Sequence, residues 1–323
     1  MQYYTMTKKL KSALFLLPLL ALLTCDNGLD DLLEFQRTMI PITDGLQLTA
    51  TFPDGAILAI MNDIEMPNTG LAQGIEINKN LTITAWEGTK TISAGTIGIN
   101  YPFFKVQLGG NLTLRDPRSK GTLVLEGNAS RTESLIQVDG ANASLTMNDG
   151  VILKGNGDPS LPPGNGGGVY IEIGSFIMNG GIISGNHAQR GGGVNIANGG
   201  SFTMNGGTIS GNFAIDNGSD TGHGGGVYIG PNSVSIRSTF LMKGGTIRKN
   251  DAQNNGGGVS VQAGFGAVVS GEYIMTGGRI YDNEALLLNG GNQLYIFPGP
   301  PPGTAIIMGE PYTSGTPYDN DLP

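Results

Sequence analysis

Short runs in which apolar and polar residues alternate recur along most of this chain. A period of two is typical of a β-strand with one face buried. The clearest runs have the form apolar–x–apolar, and successive runs start between 26 and 38 residues apart. They begin at Leu81, Leu112, Leu145, Phe176, Phe202, Phe240 and Tyr273.

Two further short strands accompany each of these runs. One precedes the run, as at Val194–Ile196, and one follows it, as at Thr208–Ile209. Three strands per repeat, separated by glycine-rich turns, indicate one coil of a parallel β-helix. A repeat of 26 residues is too short for the four strands of a propeller blade. We therefore predict an all-β fold: a single right-handed parallel β-helix of about seven to eight coils over residues 55–297.

The turns of the clearest coils carry the same residues. Glycine triplets occupy 166–168, 191–193, 224–226 and 256–258, where a tight corner would require glycine. An asparagine stands eight residues after the methionine of each of these coils, at Asn186, Asn212, Asn250 and Asn283. Stacked amides can hydrogen-bond from rung to rung, so we predict a structural ladder. The alternative is a row of ligand-binding amides.

The N-terminal segment has the pattern of an export signal. Lysines precede an apolar run from Ala13 to Leu23, which is too short to span a bilayer. The sequence Leu22-Leu23-Thr24-Cys25 resembles a bacterial lipobox, with Thr24 in place of the usual Gly, Ala or Ser. The resemblance implies a signal peptide at 1–24 and lipidation of Cys25. We expect a tether and N-terminal cap at 25–54 and a Pro-rich C-terminal cap at 298–323.

Composition and charge exclude several classes of protein and of partner. The chain has 323 residues, 54 of them Gly without a Gly-X-Y period, which excludes collagen. The formal charge is −8, so the chain has no electrostatic footprint for nucleic acid. Cys25 is the only cysteine, which excludes a disulfide framework.

Candidate chemistry is sparse. Alignment of the coils brings Asp251 and Glu284 to one corner, as a possible carboxylate site; solvated surface with a Lys249–Asp282 salt bridge is the plainer interpretation. Asp216 and Asp220 lie in a polar loop that is only loosely similar to a calcium-binding loop, because the EF-hand spacing is absent. Calcium is a weak expectation as a cofactor, and no metal centre is predicted. Two long corner loops, 230–239 and 262–272, could form a binding ridge.

Several motifs resemble known families. The stretch Ile75 to Ile83 is similar to an opening coil of pectate-lyase-like right-handed β-helices. The GGG-apolar motifs, followed by Phe176-Ile-Met-Asn179 and Phe202-Thr-Met-Asn205, resemble those of polymorphic outer-membrane proteins. The pattern is still more similar to glycine-rich β-helix repeat lipoproteins of bacterial surfaces.

These resemblances, with the export signal, favour a lipid-anchored cell-surface protein, on the outer membrane, that acts as an adhesin-like or scaffolding module. A glycan or a cell-surface protein would be its partner, and enzyme activity is not expected. The alternatives are a polysaccharide lyase or glycoside hydrolase of the pectate-lyase-like fold, and a purely structural envelope protein.

Overall fold

The structure is a computed structural model. It describes residues 39–67, 74–95, 101–158, 160, 164–219, 221–231, 236–262, 271–286 and 291–296, and the strand backbone of 304–307 and 310–312. The chain divides into two compact units, Met1–Met39 and Ile40–Pro323, and the description concerns the second.

The described residues are almost entirely β-strand and turn, as the alternating pattern predicts. In chain order the strands are β1 Met39–Ile42, β2 Ala56–Ile60, β3 Ile64–Glu65, β4 Ile75–Ile77, β5 Asn80–Ala85, β6 Thr89–Ser93, β7 Phe104–Gln107, β8 Asn111–Leu114, β9 Thr122–Glu126, β10 Ile136–Met147, β11 Val151–Lys154, β12 Val169–Met178, β13 Ile182–Ser184, β14 His187–Ala188, β15 Val194–Ile196, β16 Ser201–Met204, β17 Thr208–Ser210, β18 Phe213–Ala214, β19 Val227–Ile229, β20 Thr239–Met242, β21 Thr246–Arg248, β22 Asp251–Ala252, β23 Val259–Val261, β24 Glu272–Met275, β25 Arg279–Tyr281, β26 Glu284–Ala285, β27 Leu294–Ile296, β28 Thr304–Ile307 and β29 Glu310–Tyr312. One 3₁₀ helix, Gly45–Thr49, lies between β1 and β2.

These strands stack into three sheets with parallel pairing from coil to coil, which confirms the predicted parallel β-helix. The largest sheet forms two faces. The first face contains β4, β7, β15, β19, β23, β27 and the first halves of β10 and β12; the second contains β2, β5, β8, β16, β20, β24, β28 and the second halves of β10 and β12. The third face contains β3, β6, β9, β11, β13, β17, β21 and β25, and a corner strip contains β14, β18, β22 and β26.

The register of the second face agrees with the alignment of the internal repeats in the sequence. Phe176 pairs with Phe202, Phe202 with Phe240, and Phe240 with Tyr273, without a shift. Their rings stack inside the helix with centroids 4.7, 4.6 and 5.1 Å apart. Identical side chains at identical positions therefore fill the core of successive coils, and each coil buries the apolar face of its neighbours.

The strand stack continues into the segment predicted as a C-terminal cap. Strand β28 pairs parallel with β24, and β29 then pairs antiparallel with β28. A single antiparallel strand at the end of a parallel stack covers an edge that would otherwise expose unpaired backbone groups. Near the other end, Asp44 caps the 3₁₀ helix by accepting from the backbone N–H of Leu46 at 2.7 Å.

Within the described residues no helix is long and apolar enough to cross a membrane.

Candidate functional site

The glycine triplets make the corner at which the first face begins. The first glycine of each triplet has a positive φ, 69° at Gly224 for example, which side chains rarely adopt. The third glycine lies against the interior. A Cβ at Gly226 would come within 2.6 Å of the carbonyl oxygen of Gly258 and 3.1 Å of the Nδ2 of Asn250. A side chain at this corner would therefore collide with the adjacent coil and with the asparagine.

The four predicted asparagines lie in one buried row beside these glycines. The Nδ2 of Asn186 donates to the Oδ1 of Asn212 at 3.0 Å, and the same contact joins Asn212 to Asn250 and Asn250 to Asn283, each at 2.9 Å. Each acceptor Oδ1 also receives the backbone N–H of the preceding asparagine, at 3.1 Å from Asn212 to Asn250. The structure therefore joins all four in a continuous ladder of amides.

Each ladder amide is also tied to the backbone of another coil. The Nδ2 of Asn212 donates to the carbonyl of Ile183 at 3.0 Å, and that of Asn250 to the carbonyl of Ile209 at 3.0 Å. With the side-chain contacts, both hydrogens and the oxygen of each amide are engaged. A satisfied buried polar network is a structural element, so these amides offer no free group to a ligand.

Two members of the ladder were missed by the sequence pattern. Asn156 stands nine rather than eight residues after its methionine, and its backbone N–H donates to the Oδ1 of Asn186 at 3.3 Å. At the other end the Oε1 of Gln293 accepts from the Nδ2 of Asn283 at 2.8 Å. Gln293 occupies the position of the third glycine in its coil, because Val259 pairs with Leu294 and Gly258 lies against the carbonyl of Gln293. Its longer side chain takes the place of a next asparagine and ends the ladder.

A buried arginine closes the ladder at Asn156. The Nε of Arg131 donates to the Oδ1 of Asn156 at 2.6 Å, and its guanidinium lies 4.6 Å from the centre of the Phe103 ring. Burial lowers the pKa of Arg131 to about 10, with Glu133 and Tyr101 opposing the shift. Burial likewise raises the pKa of Glu133, and Arg131 opposes that shift. Arg131 therefore terminates the row as a buried cation.

A second amide row lies on the outside of the coils, directly after the core methionines. The Nδ2 of Asn179 donates to the Oδ1 of Asn148 at 3.0 Å, and the Nδ2 of Asn205 to the Oδ1 of Asn179 at 2.9 Å. Asn179 and Asn205 are exposed to solvent. The row ends where Lys243 takes the equivalent position, after the methionine paired with Met204.

The structure places Asp251 and Glu284 side by side. They are register partners in the corner strip, whose outward row runs from His187 to Phe213, Asp251 and Glu284. Burial and, to a smaller extent, the Glu284 carboxylate raise the pKa of Asp251. Burial also lowers the pKa of His187, which lies edge-on to Phe213. The two carboxylates therefore repel, and no third acidic or histidine ligand joins them: no group of three metal-ligating side chains occurs among the described residues.

The other carboxylate loop is held by its own backbone. The Oδ1 of Asp216 accepts from the N–H of Gly218 at 2.9 Å and from the hydroxyl of Thr221 at 3.2 Å. These bonds lower the pKa of Asp216, because they favour the charged form. One carboxylate oxygen of Asp216 is thus engaged within its own turn. Asp220 lies outside the described residues.

Three further predictions also concern residues outside the described part. They are the signal segment 1–24, the lipidation site Cys25 and the core of each long loop, 232–235 and 263–270.

No ion pair within the described part of the chain joins Lys249 to Asp282. Instead the backbone N–H of Lys249 donates to the carbonyl of Asp282 at 2.9 Å. The two residues hold equivalent positions in neighbouring coils, and both have a positive φ, 54° and 53°. The salt-bridge interpretation of this corner is therefore wrong.

Comparisons with protein-family models, curated proteins and solved structures gave no match for this chain. The fold is therefore assigned from the observed strand pairing.

Proposed function

We propose that the protein is an exported, lipid-anchored bacterial surface protein whose β-helix is a rigid scaffold that presents outward side chains to a binding partner. The export pattern of residues 1–24 and the lipobox-like sequence at Cys25 support the anchor. The resemblance to glycine-rich β-helix surface lipoproteins supports the same assignment.

The observation that carries the proposal is the contrast between inward and outward positions of the same strands. On the second face, the inward residues of four successive coils are Phe, Phe, Phe and Tyr in register. The outward residues between them and Met are Ile177, Thr203, Leu241 and Ile274. A repeat that keeps its interior and varies its surface is suited to display, because outward residues can differ from coil to coil while the core packing is retained.

The anchor is tested by producing the full-length chain in a bacterium supplied with labelled palmitate. The proposal expects label in the protein and recovery in the membrane fraction, with both lost in Cys25→Ser. Label that persists in Cys25→Ser would contradict the anchor assignment. Several acyl chains together give stable attachment, so the membrane fraction should hold nearly all of the wild-type protein.

The binding role is tested with the full-length protein in detergent against a panel of neutral and anionic glycans and cell-surface proteins. Retention of one class of partner by the folded protein supports a binding module. A chain that is anchored but retains none of them would contradict the binding role.

The pairing of Asp251 with Glu284 favours one competing function, a glycan-cleaving enzyme, because glycoside hydrolysis uses two neighbouring carboxyl groups. The same panel is therefore scored for new chain ends. Ends that form with the wild type and vanish in both Asp251→Asn and Glu284→Gln would replace the scaffold proposal with an enzyme.

A further inference from the structure

Four basic side chains lie on the outside of two neighbouring coils, along the third face and the two corners that bound it. Lys243, Arg248 and Lys249 belong to one coil, and Arg279 belongs to the next. Strand register places Arg279 beside Thr246 and Tyr281 beside Arg248. The Arg279 guanidinium lies 4.8 Å from the centre of the Tyr281 ring. We call these four cations the basic face.

The side chains of the basic face have no acidic partner among the residues that the structure describes. No ion pair or side-chain hydrogen bond engages their nitrogens there. Cations elsewhere behave differently: Lys105 contacts Asp139 at 3.0 Å, and Lys154 contacts Glu126 at 3.0 Å. The donors of the basic face are therefore available for an external anion.

The fold does not require these charges. Arg248 pairs with Ser210, and Ser210 pairs with Ser184; Arg279 pairs with Thr246, and Thr246 pairs with Thr208. Lys243 follows its core methionine as Asn205 does in the preceding coil. Every basic position thus has a neutral equivalent one rung away in the same fold.

One of the charges sits where a side chain is unfavourable. Lys249 has a φ of 54°, and the equivalent residue of the preceding coil is Gly211 with a φ of 63°. A left-handed conformation costs a non-glycine residue about 1 kcal/mol. The equivalent corner of the next coil carries Asp282 with a φ of 53°, so the position accepts a side chain of either charge and does not itself require a lysine.

Acidic groups limit the basic face on one side. Asp282 holds the position equivalent to Lys249 in the next coil, and Asp251 and Glu284 lie beyond it on the corner strip. With a formal charge of −8 the whole chain does not attract polyanions from a distance. Recognition must therefore act at contact range, within about 10 Å at ordinary salt.

We propose that the basic face binds a saccharide that carries sulfate or phosphate groups, an assignment that rests on the proposed binding role. The forked guanidiniums of Arg248 and Arg279 suit such oxyanions, which accept two parallel N–H donors. The hydroxyls of Ser210, Thr208 and Thr246 continue on the same face at the rung spacing of about 4.8 Å and offer partners for sugar hydroxyls. Nucleic acid is a poorer fit, because Arg279 already covers the Tyr281 ring on which a base would stack.

The test measures the affinity of the full-length protein in detergent for a sulfated heparin oligosaccharide. The same oligosaccharide after desulfation and N-acetylation, which keeps its carboxylates, is the probe without sulfate. Each cation is replaced by its neighbour-coil equivalent: Lys243→Asn, Arg248→Ser, Lys249→Gly and Arg279→Thr. We expect about tenfold weaker binding for each arginine variant and a smaller loss for each lysine variant, because charge-assisted hydrogen bonds are lost. The quadruple variant should lose most of its affinity, and the affinity that remains should depend less on salt concentration than that of the wild type.

Lys154→Ser is the matched control, since it removes one charge from the same face and takes the residue of the next rung, Ser184. It should leave the affinity within about twofold, because Lys154 is already paired with Glu126. In the opposite direction, Asp282→Lys should tighten binding by extending the cation row at an equivalent corner. Circular dichroism of each variant reports that the β-helix is intact.

Equal binding of the desulfated probe, or undiminished binding by a folded quadruple variant, would overturn the assignment of the basic face. So would capture of anionic phospholipid vesicles but not of the sulfated oligosaccharide. If the protein retains another glycan or a protein from the panel while the sulfated probe fails, the basic face is refuted and the proposed binding role stands. If nothing at all is retained, both fail.

Discussion

The two asparagine rows use the same contact in different surroundings. Amide joins amide at 2.9–3.0 Å in the inner row and in the outer row. The inner Asn212 is 1% exposed and also binds the backbone of the preceding coil at two points, whereas Asn205 is open to water. Hydrogen bonds exposed to water are replaced at little cost, and buried ones are not. The inner row should therefore hold the coils together, and the outer row should be nearly neutral.

The largest expected effect follows from Asn212→Ala. It leaves the backbone N–H and one Nδ2 hydrogen of Asn186 without their acceptor in the interior and removes one donor to the carbonyl of Ile183. Each such buried group costs about 1–3 kcal/mol, so we expect a loss of about 4 kcal/mol in the free energy of unfolding, measured in urea. Asn205→Ala is the matched control and should cost about 0.5 kcal/mol or less. Similar losses for both would break the comparison.

The next effect concerns the glycine that makes room for the ladder. In Gly226→Ala the new Cβ meets the Gly258 carbonyl at 2.6 Å and Asn250 Nδ2 at 3.1 Å, so we expect about 3 kcal/mol of destabilisation. Gly211→Ala places its Cβ in open space and bears only the strain of a positive φ, about 1 kcal/mol. Thermal unfolding of the two variants should show this order, and the reverse order would refute the steric argument.

A smaller effect is expected at the end of the inner row. Gln293→Leu removes the acceptor of the Asn283 side chain and of the Asn283 backbone N–H, but the side-chain amide keeps the carbonyls of Ile247 at 3.1 Å and Tyr281 at 2.9 Å. The lost backbone contact is long, at 3.4 Å, so the two lost bonds together should cost about 1.5 kcal/mol in urea unfolding. A loss as large as that of Asn212→Ala would mean that the ladder is held from its end rather than along its length.

The smallest effect has the opposite sign and depends on pH. The pKa of Asp251 is raised in the folded state by burial and by Glu284, so its protonated form is favoured by folding. This contribution to stability is complete below the ordinary pKa of an aspartate and is lost as pH rises through the raised value.

Asp251→Asn should accordingly stabilise the protein at pH 7 by about 0.5 kcal/mol, because it removes a like-charge pair on adjacent strands. The gain should shrink toward pH 3. Urea unfolding of wild type and variant at both pH values measures it. Glu87→Gln, at an exposed carboxylate of another coil, is the control for an added amide. A gain that does not change with pH would refute the electrostatic cause.

The sequence predicted the fold and the register because the repeat itself carries them. Phe176, Phe202 and Phe240 occupy one position of successive coils, so an alignment of the repeat sequences gives the strand register directly. The same alignment grouped Asn186, Asn212, Asn250 and Asn283.

The ends of the ladder could not be predicted by counting eight residues from each core methionine. The four-residue strand β11 moves Asn156 one residue along, and Gln293 replaces a glycine instead of an asparagine. Arg131 is a side chain of a different corner, and only the folded path brings it to Asn156. The basic face was missed for another reason: its cations are spread over 37 residues of sequence, from Lys243 to Arg279, and meet only through strand register.

Hydrogen exchange of the asparagine side chains tests the central claim most directly, because each carboxamide reports on its own row. In the native full-length protein, the Nδ2 hydrogens of Asn186, Asn212 and Asn250 should exchange only through global or near-global unfolding. Those of Asn179 and Asn205 should exchange at least about a thousandfold faster, through local fluctuation. Equally fast exchange in both rows would contradict the claim that the buried ladder holds the coils together.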